Sequence, residues 1–383
     1  MSASQLSEHS GYLGDQHKLA AYEQALGAVL QSGDQVVLDL GAGTGILGLL
    51  AARAGARRIY AVDSGSILGP AAETAAALAF AERIVHIRGR STDIELPELV
   101  DVAVCDQIGG FVHDAGVLQY FADARKRLMA PDGVLVPAGF RMFLAPAECS
   151  SVRDQIDLWA SSPAGFDFST FGELSVNTEH RTDGDKVCLL SPGVEVANIA
   201  SDHTQPIKGS GTATITVEGR CDGLVGFFEA EMGGGVALTN DPSHPQRMRR
   251  WCNFYPISAG IGVGPGHTVA VHVDVRPRLG AVTWRVEVRN ENGEVLTNER
   301  HSTLLGKFLA ADDLKRSGGS TIRVKPVGEA VALALRLADG TRTTAEVLAA
   351  TRAEVPDSRW SPTMDETLRT LLERFTTPHD PTS

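Results

Sequence analysis

A chain of 383 residues with a net charge of −12 and 43% hydrophobic residues is long for one domain and has the composition of a globular protein. Its acidity argues against a dedicated nucleic-acid binder, because phosphate neutralisation supplies most of such affinity; a cationic peptide or amine suits the field better. Five scattered cysteines, with no CxxC pair and no histidine cluster, argue against structural zinc and a disulfide framework, so no metal is expected.

The start, MSASQLSEHSGYLGDQHK, is polar and lacks an apolar h-region. The longest apolar runs elsewhere fall short of a membrane span, so a cytoplasmic location without membrane or nucleic-acid partners is expected. From 35 to 146 strand-like apolar runs alternate with Ala-rich helical stretches, as a doubly wound α/β sheet requires. VVLDL, RIYAVD, RIVHIR and DVAVCD read as buried parallel strands.

Beyond Pro146 the rhythm changes to short Val- and Thr-rich segments, among them ATITVEG, VGFFEAEM, TVAVHVDV and TWRVEVRN, separated by turn residues. An all-β module, barrel or sandwich, is predicted there. After KRSGGS, TIRVKPV reads as a strand, and GTRTTAEVLAATRAEV and MDETLRTLLERF as helices. The predicted domains are therefore 1–146 α/β, 147–315 all-β barrel, 316–376 small α+β, and a disordered tail at 377–383.

The strongest local signal is VVLDLGAGTG, a strand running into a turn at Gly41, Gly43 and Gly45 and then a helix. Glycines let such a turn approach a ligand where any Cβ would clash. A dinucleotide fingerprint would carry its third glycine where Ile46 stands, and the strand here ends in an acid, Asp39. This variant suits the methionine moiety of S-adenosylmethionine better than a pyrophosphate. The next strand ends in Asp63, followed by Ser64; an acid there accepts hydrogen bonds from both ribose hydroxyls. Because a nicotinamide dehydrogenase also uses that acid, the turn and not Asp63 favours methyl transfer.

Several of these segments resemble the protein arginine methyltransferases, over roughly 12–306. Asp15-Gln16-His17-Lys18 with Tyr22 is similar to the family's DxxR…Y segment, with Lys18 in place of the arginine that holds the cofactor carboxylate. VVLDLGAGTGILGLLAARAGARRIYAVD and IRGRSTDIELPELVDVAVCDQIGG resemble its glycine motif and its adenine-side and catalytic loops. LMAPDGVLVP and GLVGFFEAEMGGGVALTNDPSHPQRMRRWCNFYPI resemble the end of its Rossmann-like half and its β-barrel. The resemblance implies that S-adenosylmethionine is the cofactor, leaving as S-adenosylhomocysteine, and that Gly41, Gly43, Asp63 and Ser91 line its pocket.

Two departures stand out. The family clamps its guanidinium substrate between two glutamates; here Asp106 falls at the first, and Ala115 at the second, with Asp114 beside it. The histidine of its Thr-His-Trp loop is replaced by Arg250, while Trp251 is kept, and an arginine there repels a guanidinium and welcomes a carboxylate. Asp106, Asp114, Glu229 and Glu231 are placed to surround a cationic amine, Asp106 touches the cofactor side as well, and His113 is a candidate general base. Each has a plainer reading: a solvated loop histidine, a packed tryptophan, solvated charges.

Residues from Gly318 to Phe375, chiefly LADGTRTTAEVLAAT, resemble the winged-helix fold of PqqD-like peptide-recognition elements, which implies docking of a peptide leader; a generic helical lid or dimer contact is the alternative. With an arginine-methyltransferase-like core, this combination resembles enzymes of ribosomal peptide natural-product (RiPP) pathways, including the methyltransferases of daptide-type clusters. The expected activity is N-methylation of an amine or guanidine nitrogen of a peptide or amino-acid-derived substrate. Carboxylate O-methylation and a non-catalytic cofactor-binding role stay open. Family members pair through an arm before the barrel; SSVRDQIDLWASSPAGFDFST stands there without a clear helical arm, and a homodimer is an expectation only.

Overall fold

The computed structural model describes residues 3–306, 326–339, 341–355, 360 and 364–375. The chain divides into two compact units, Met1–Phe308 and Leu309–Ser383. In the first, helices α1 (Ala3–Leu13) and α2 (Gln16–Val29) precede alternating strands and helices: β1 (Val36–Leu40), α3 (Ile46–Arg53), β2 (Arg58–Asp63), α4 (Leu68–Ala77), β3 (Ile84–Arg88), β4 (Val100–Cys105), α5 (Val117–Arg127) and β5 (Met129–Val136). The five strands form a parallel sheet in the order β3-β2-β1-β4-β5. Every residue of β1 is buried, as expected of a central strand covered by helices on both faces. The order reverses at β1 and β4, and a ligand crevice opens beyond the strand ends at such a switch point.

The second half contains β6 (Gly139–Glu148), α6 (Ser150–Asp157), α7 (Ser169–Val176), β7 (His180–Thr182), β8 (Cys188–Leu189), β9 (Val194–Ala200), β10 (Ile207–Thr214), β11 (Gly219–Gly233), β12 (Val236–Thr239), β13 (Cys252–Val263), β14 (Thr268–Arg276), β15 (Ala281–Arg289) and β16 (Val295–Ser302). The sequence reading expects a barrel; the hydrogen bonds run in two antiparallel sheets, β7-β13-β11-β6-β8, with β9 and β12 alongside, and β10-β14-β15-β16. The expected boundary at 146 also moves. β6 pairs with β11 from Gly139 onward, so the antiparallel half begins straight after Pro137. The mostly apolar stretch FRMFLAPAE hides that switch in the sequence, because period alone does not tell which sheet a buried strand joins.

SSVRDQIDLWASSPAGFDFST, read as lacking a helical arm, folds into α6 and α7 with short 3-10 turns between them. These helices are eight residues each and are broken by left-handed Ser162 and Ala164, too short for a clear period.

Described by itself, the second unit has α8 (Pro326–Leu337), α9 (Thr344–Glu354) and α10 (Met364–Phe375) packed through Ala330, Ala334, Val347, Leu348, Leu368 and Leu372. Thr343 and Glu346 form a reciprocal capping box at the start of α9. The sequence reading missed α8, taking PV as the end of a strand; proline at the first helical position is the signal that was available. The remainder of that strand, 321–325, and the tail at 377–383 lie outside the described residues.

Candidate active site

β1 delivers the chain to Gly41, Gly43 and Gly45, whose φ angles of +72°, +52° and +79° are left-handed and favour glycine at each position. A Cβ on Gly41 would lie 2.1 Å from Gln107 Nε2, and one on Gly43 would lie 3.2 Å from the His9 ring. Gly45 instead caps α3 and does not line the cavity. Asp63, at the end of β2, accepts hydrogen bonds from Gly43 N at 2.9 Å and Gly65 N at 2.6 Å. It therefore holds the turn as well as facing the cavity.

Asp39 has a different place from the expected one. It is fully buried outside the cavity lining, with Oδ2 accepting from Gly48 N at 2.9 Å and Oδ1 without a partner. Burial raises its carboxyl to about 7, against the lowering effect of the Gly48 bond. It fixes the start of α3 under the turn and does not line the cavity.

The cavity beyond this turn measures about 400 Å³, within the range of small-molecule sites. α1 contributes Glu8, His9 and Tyr12, and α2 contributes Lys18. Lys18 Nζ lies 2.5 Å from Asp106 Oδ2, and Arg250 Nη2 lies 2.9 Å from Asp106 Oδ1. Both cations are buried, so Asp106 compensates two desolvated charges. The Tyr12 ring faces both, at 4.5 Å from Lys18 Nζ and 5.2 Å from the Arg250 guanidinium. Asp15, the buried first residue of the segment that resembles DxxR…Y, holds the arrangement. Its Oδ1 caps α2 through Lys18 N at 3.2 Å, and its Oδ2 accepts from Arg249 N at 2.6 Å. The available signal was an N-cap aspartate three residues before the lysine.

The loop after β4 is bounded by left-handed Gly109 and Gly116 and contains buried Val112 at φ +68°, a strained value for a β-branched residue. Asp114 organises it: its oxygens accept from Gly110 N and Phe111 N at 3.0 and 3.1 Å and from Trp251 Nε1 at 3.2 Å. Asp114 thus serves the loop and the tryptophan in place of the expected substrate contact. His113 corrects the general-base expectation. Its ring is buried beside Phe111 O at 3.0 Å and Glu179 Oε2 at 3.1 Å, and it does not line the cavity. Burial lowers the His113 pKa, but the Glu179 bond and charge outweigh it and raise it overall.

Glu229 and Glu231 also fall away from the site. Glu229 pairs with Arg141 at 3.0 Å, Glu231 is exposed, and neither lines the cavity. They lie on β11 where it pairs with both β6 and β12, so alternation sends these two out of the core. Ser64 follows β2, and Ser91 opens a 3-10 turn and accepts a bond at its carbonyl from Arg127; neither lines the cavity.

Trp251 and Arg250 do line it, together with Ala115 and Arg181. Arg181, on β7, places its guanidinium 4.4 Å from the centre of the Trp251 ring. The sequence carried no signal for Arg181, because only the pairing of β7 with β13 brings it to this mouth.

Among the described residues no group of His, Cys, Asp and Glu is arranged to hold a metal, and no helix is long and apolar enough to cross a membrane. The cavity thus brings together glycines where a Cβ would collide, Asp63 at the end of β2 and a buried cation, Lys18.

The profile of the family described as ribosomal protein L11 methyltransferase (PrmA) matches residues 18–141. Protein arginine N-methyltransferase 1 of Schizosaccharomyces pombe is 38% identical over 138 residues, 36% of this chain and 40% of that protein. The probable histone-arginine methyltransferase CARMER of Drosophila melanogaster is 28% identical over 271 residues, 64% of this chain and 50% of that protein. The chain thus spans half or less of the length of these relatives. Two solved structures share the fold. Protein arginine methyltransferase 10 of Arabidopsis thaliana gives a TM-score of 0.64 at 20% identity, covering 78% of this chain and 98% of that one. The Trypanosoma brucei PRMT1 enzyme–prozyme heterotetrameric complex with AdoHcy also gives 0.64, at 21% identity, covering 77% and 97%. Residues 18–141 of this chain are thus similar to S-adenosylmethionine-dependent methyltransferases, and its α/β half continues into a β-rich half as in the two solved arginine methyltransferase structures.

Proposed function

We propose that the protein transfers a methyl group from S-adenosylmethionine to an amine nitrogen of a peptide or amino-acid-derived acceptor. The observation that carries this reading is the altered clamp: Asp106 is taken up by Lys18 and Arg250, and Ala115 offers no second carboxylate to fork a planar guanidinium.

The bound cofactor supplies a sulfonium methyl, which passes to the nucleophile as its bond to sulfur breaks and S-adenosylhomocysteine remains. In this reading Lys18 would hold the cofactor carboxylate, the Gly41–Gly43 turn its amino-acid backbone and Asp63 its ribose, supported by their shared cavity; Ser64 and Ser91 are assigned to the nucleoside end only by their positions after β2 and β3. An ammonium has no lone pair, so the acceptor must arrive as the free amine. With His113 turned away and both Asp106 oxygens engaged, water takes that proton. Asp106 still stabilises the positive charge that grows on the nitrogen.

The peptide natural-product setting rests on the resemblance of the second unit to leader-binding elements; its three packed helices suit a generic contact equally. Carboxylate O-methylation is the second reading, favoured by Arg181 and Arg250 at the mouth. Incubation with labelled cofactor and a panel of amines, free arginine and peptides tests both. Alkali-stable label on amines is the expected result; alkali-labile label would indicate an ester, and label on free arginine alone would overturn the amine reading.

A further inference from the structure

The acceptor end of the cavity has changed sign relative to a guanidinium clamp. The wall where the resemblance places a second glutamate is Ala115, and beside it stand two guanidiniums. Arg250 is buried, and its Nε–H finds no hydrogen-bond partner, an orphan donor at the cavity wall. Arg181 is held by its stack on Trp251 at 4.4 Å, yet three-fifths of its side chain is exposed and its nearest carboxylate, Asp114, is 4.0 Å away. That is looser than a paired contact. Asp114 is meanwhile committed to Gly110 N, Phe111 N and Trp251 Nε1, so Arg181 keeps donors to offer.

We infer that Arg181, stacked on Trp251 and backed by Arg250, anchors a carboxylate of the methyl acceptor, so that the substrate is an amine that also carries an acid group close to the methylated atom. A planar guanidinium on an aromatic face presents two parallel N–H bonds to a carboxylate, and aromatic backing keeps the fork oriented. The cavity lining sets Lys18, Arg181 and Arg250 against Glu8, Asp63 and Asp106, but Asp63 and Asp106 already have both oxygens engaged and offer little to an acceptor cation beside the two guanidiniums. The inference rests on the amine-methylation reading for the identity of the reaction, but the carboxylate contact can be measured without turnover.

Two arms separate the two ideas. In the first, the full-length protein saturated with S-adenosylhomocysteine is titrated with N-acetylglycine and with N-acetylglycinamide, followed by NMR. N-acetylglycine should bind and the amide should not. Arg181→Gln should weaken the acid by about tenfold or more, the size of a lost charge-assisted pair, while S-adenosylhomocysteine affinity stays unchanged and Arg181→Lys restores part of the loss. Equal binding of acid and amide, binding of neither, or an unchanged acid in Arg181→Gln would overturn the inference.

In the second arm, labelled methyl transfer is compared for matched amino acids and peptides bearing a free acid or its amide. A higher kcat/KM for the acids, lost in Arg181→Gln through KM, is expected. Transfer that ignores the acid sinks the anchor and leaves amine methylation standing. Acid binding in the first arm with only alkali-labile product sinks amine methylation and leaves the anchor standing.

Discussion

Asp106 carries the densest set of consequences in the molecule. Burying Lys18 and Arg250 costs desolvation that only a well-placed anion offsets, and removing one partner of such a group leaves the others uncompensated. Asp106→Asn should therefore lower stability by about 3 kcal/mol, discounted because a fifth of the aspartate side chain is exposed, and abolish methyl transfer. Thermal unfolding beside a transfer assay reads both; an unchanged midpoint with full turnover would remove Asp106 from the account. Asp39 makes a quieter test. Its folded pKa of about 7 lies above the unfolded value of 3.8, so the native state binds the extra proton and stability falls as pH rises from about 4 to 7. Asp39→Asn keeps an acceptor for Gly48 N and should flatten that slope while leaving cofactor affinity in place. A slope identical to that of the parent would contradict the buried, unpaired carboxyl.

At the scale of elements, the strand–turn–helix from β1 to α3 is the part that admits least change. Gly41→Ala must accommodate φ +72° at about 1–2 kcal/mol and drive Gln107 out of the space it occupies. Calorimetry should find cofactor-product affinity reduced by about tenfold or more, and wild-type affinity would show that the turn is not a cradle. This element was readable from VVLDLGAGTG because each glycine there has a steric reason. The loop from Gly109 to Gly116 was not readable in the same way. Asp114 and His113 have the residue types of acid–base groups, but backbone donors at Gly110 and Phe111 and the Glu179 carboxylate claim them, and such partners appear only in three dimensions. Helix α8 was missed because its proline was taken as the end of an extended run.

Across the whole molecule, period and turn chemistry made the parallel sheet and the change to antiparallel strands legible, since β1 to β4 each keep a short apolar run bounded by turns. The joint between the halves was not, because β5 ends in the buried pair Leu135–Val136 and β6 opens on buried residues only three positions later, so the two read as one apolar stretch around Pro137. Arg181 shows the same limit at the site. It lies 70 residues before Trp251 in sequence and reaches that ring through the pairing of β7 with β13.

Methyl transfer by this chain requires that the crevice at the β1–β4 switch hold a sulfonium nucleoside. Titration of the purified chain with S-adenosylhomocysteine, and with a nicotinamide dinucleotide as the competitor, measures that requirement directly. Saturable binding of the homocysteine nucleoside is expected, weakened by about tenfold or more in Asp63→Ala through loss of charged hydrogen bonds. No binding, or uptake of the dinucleotide in its place, would contradict it.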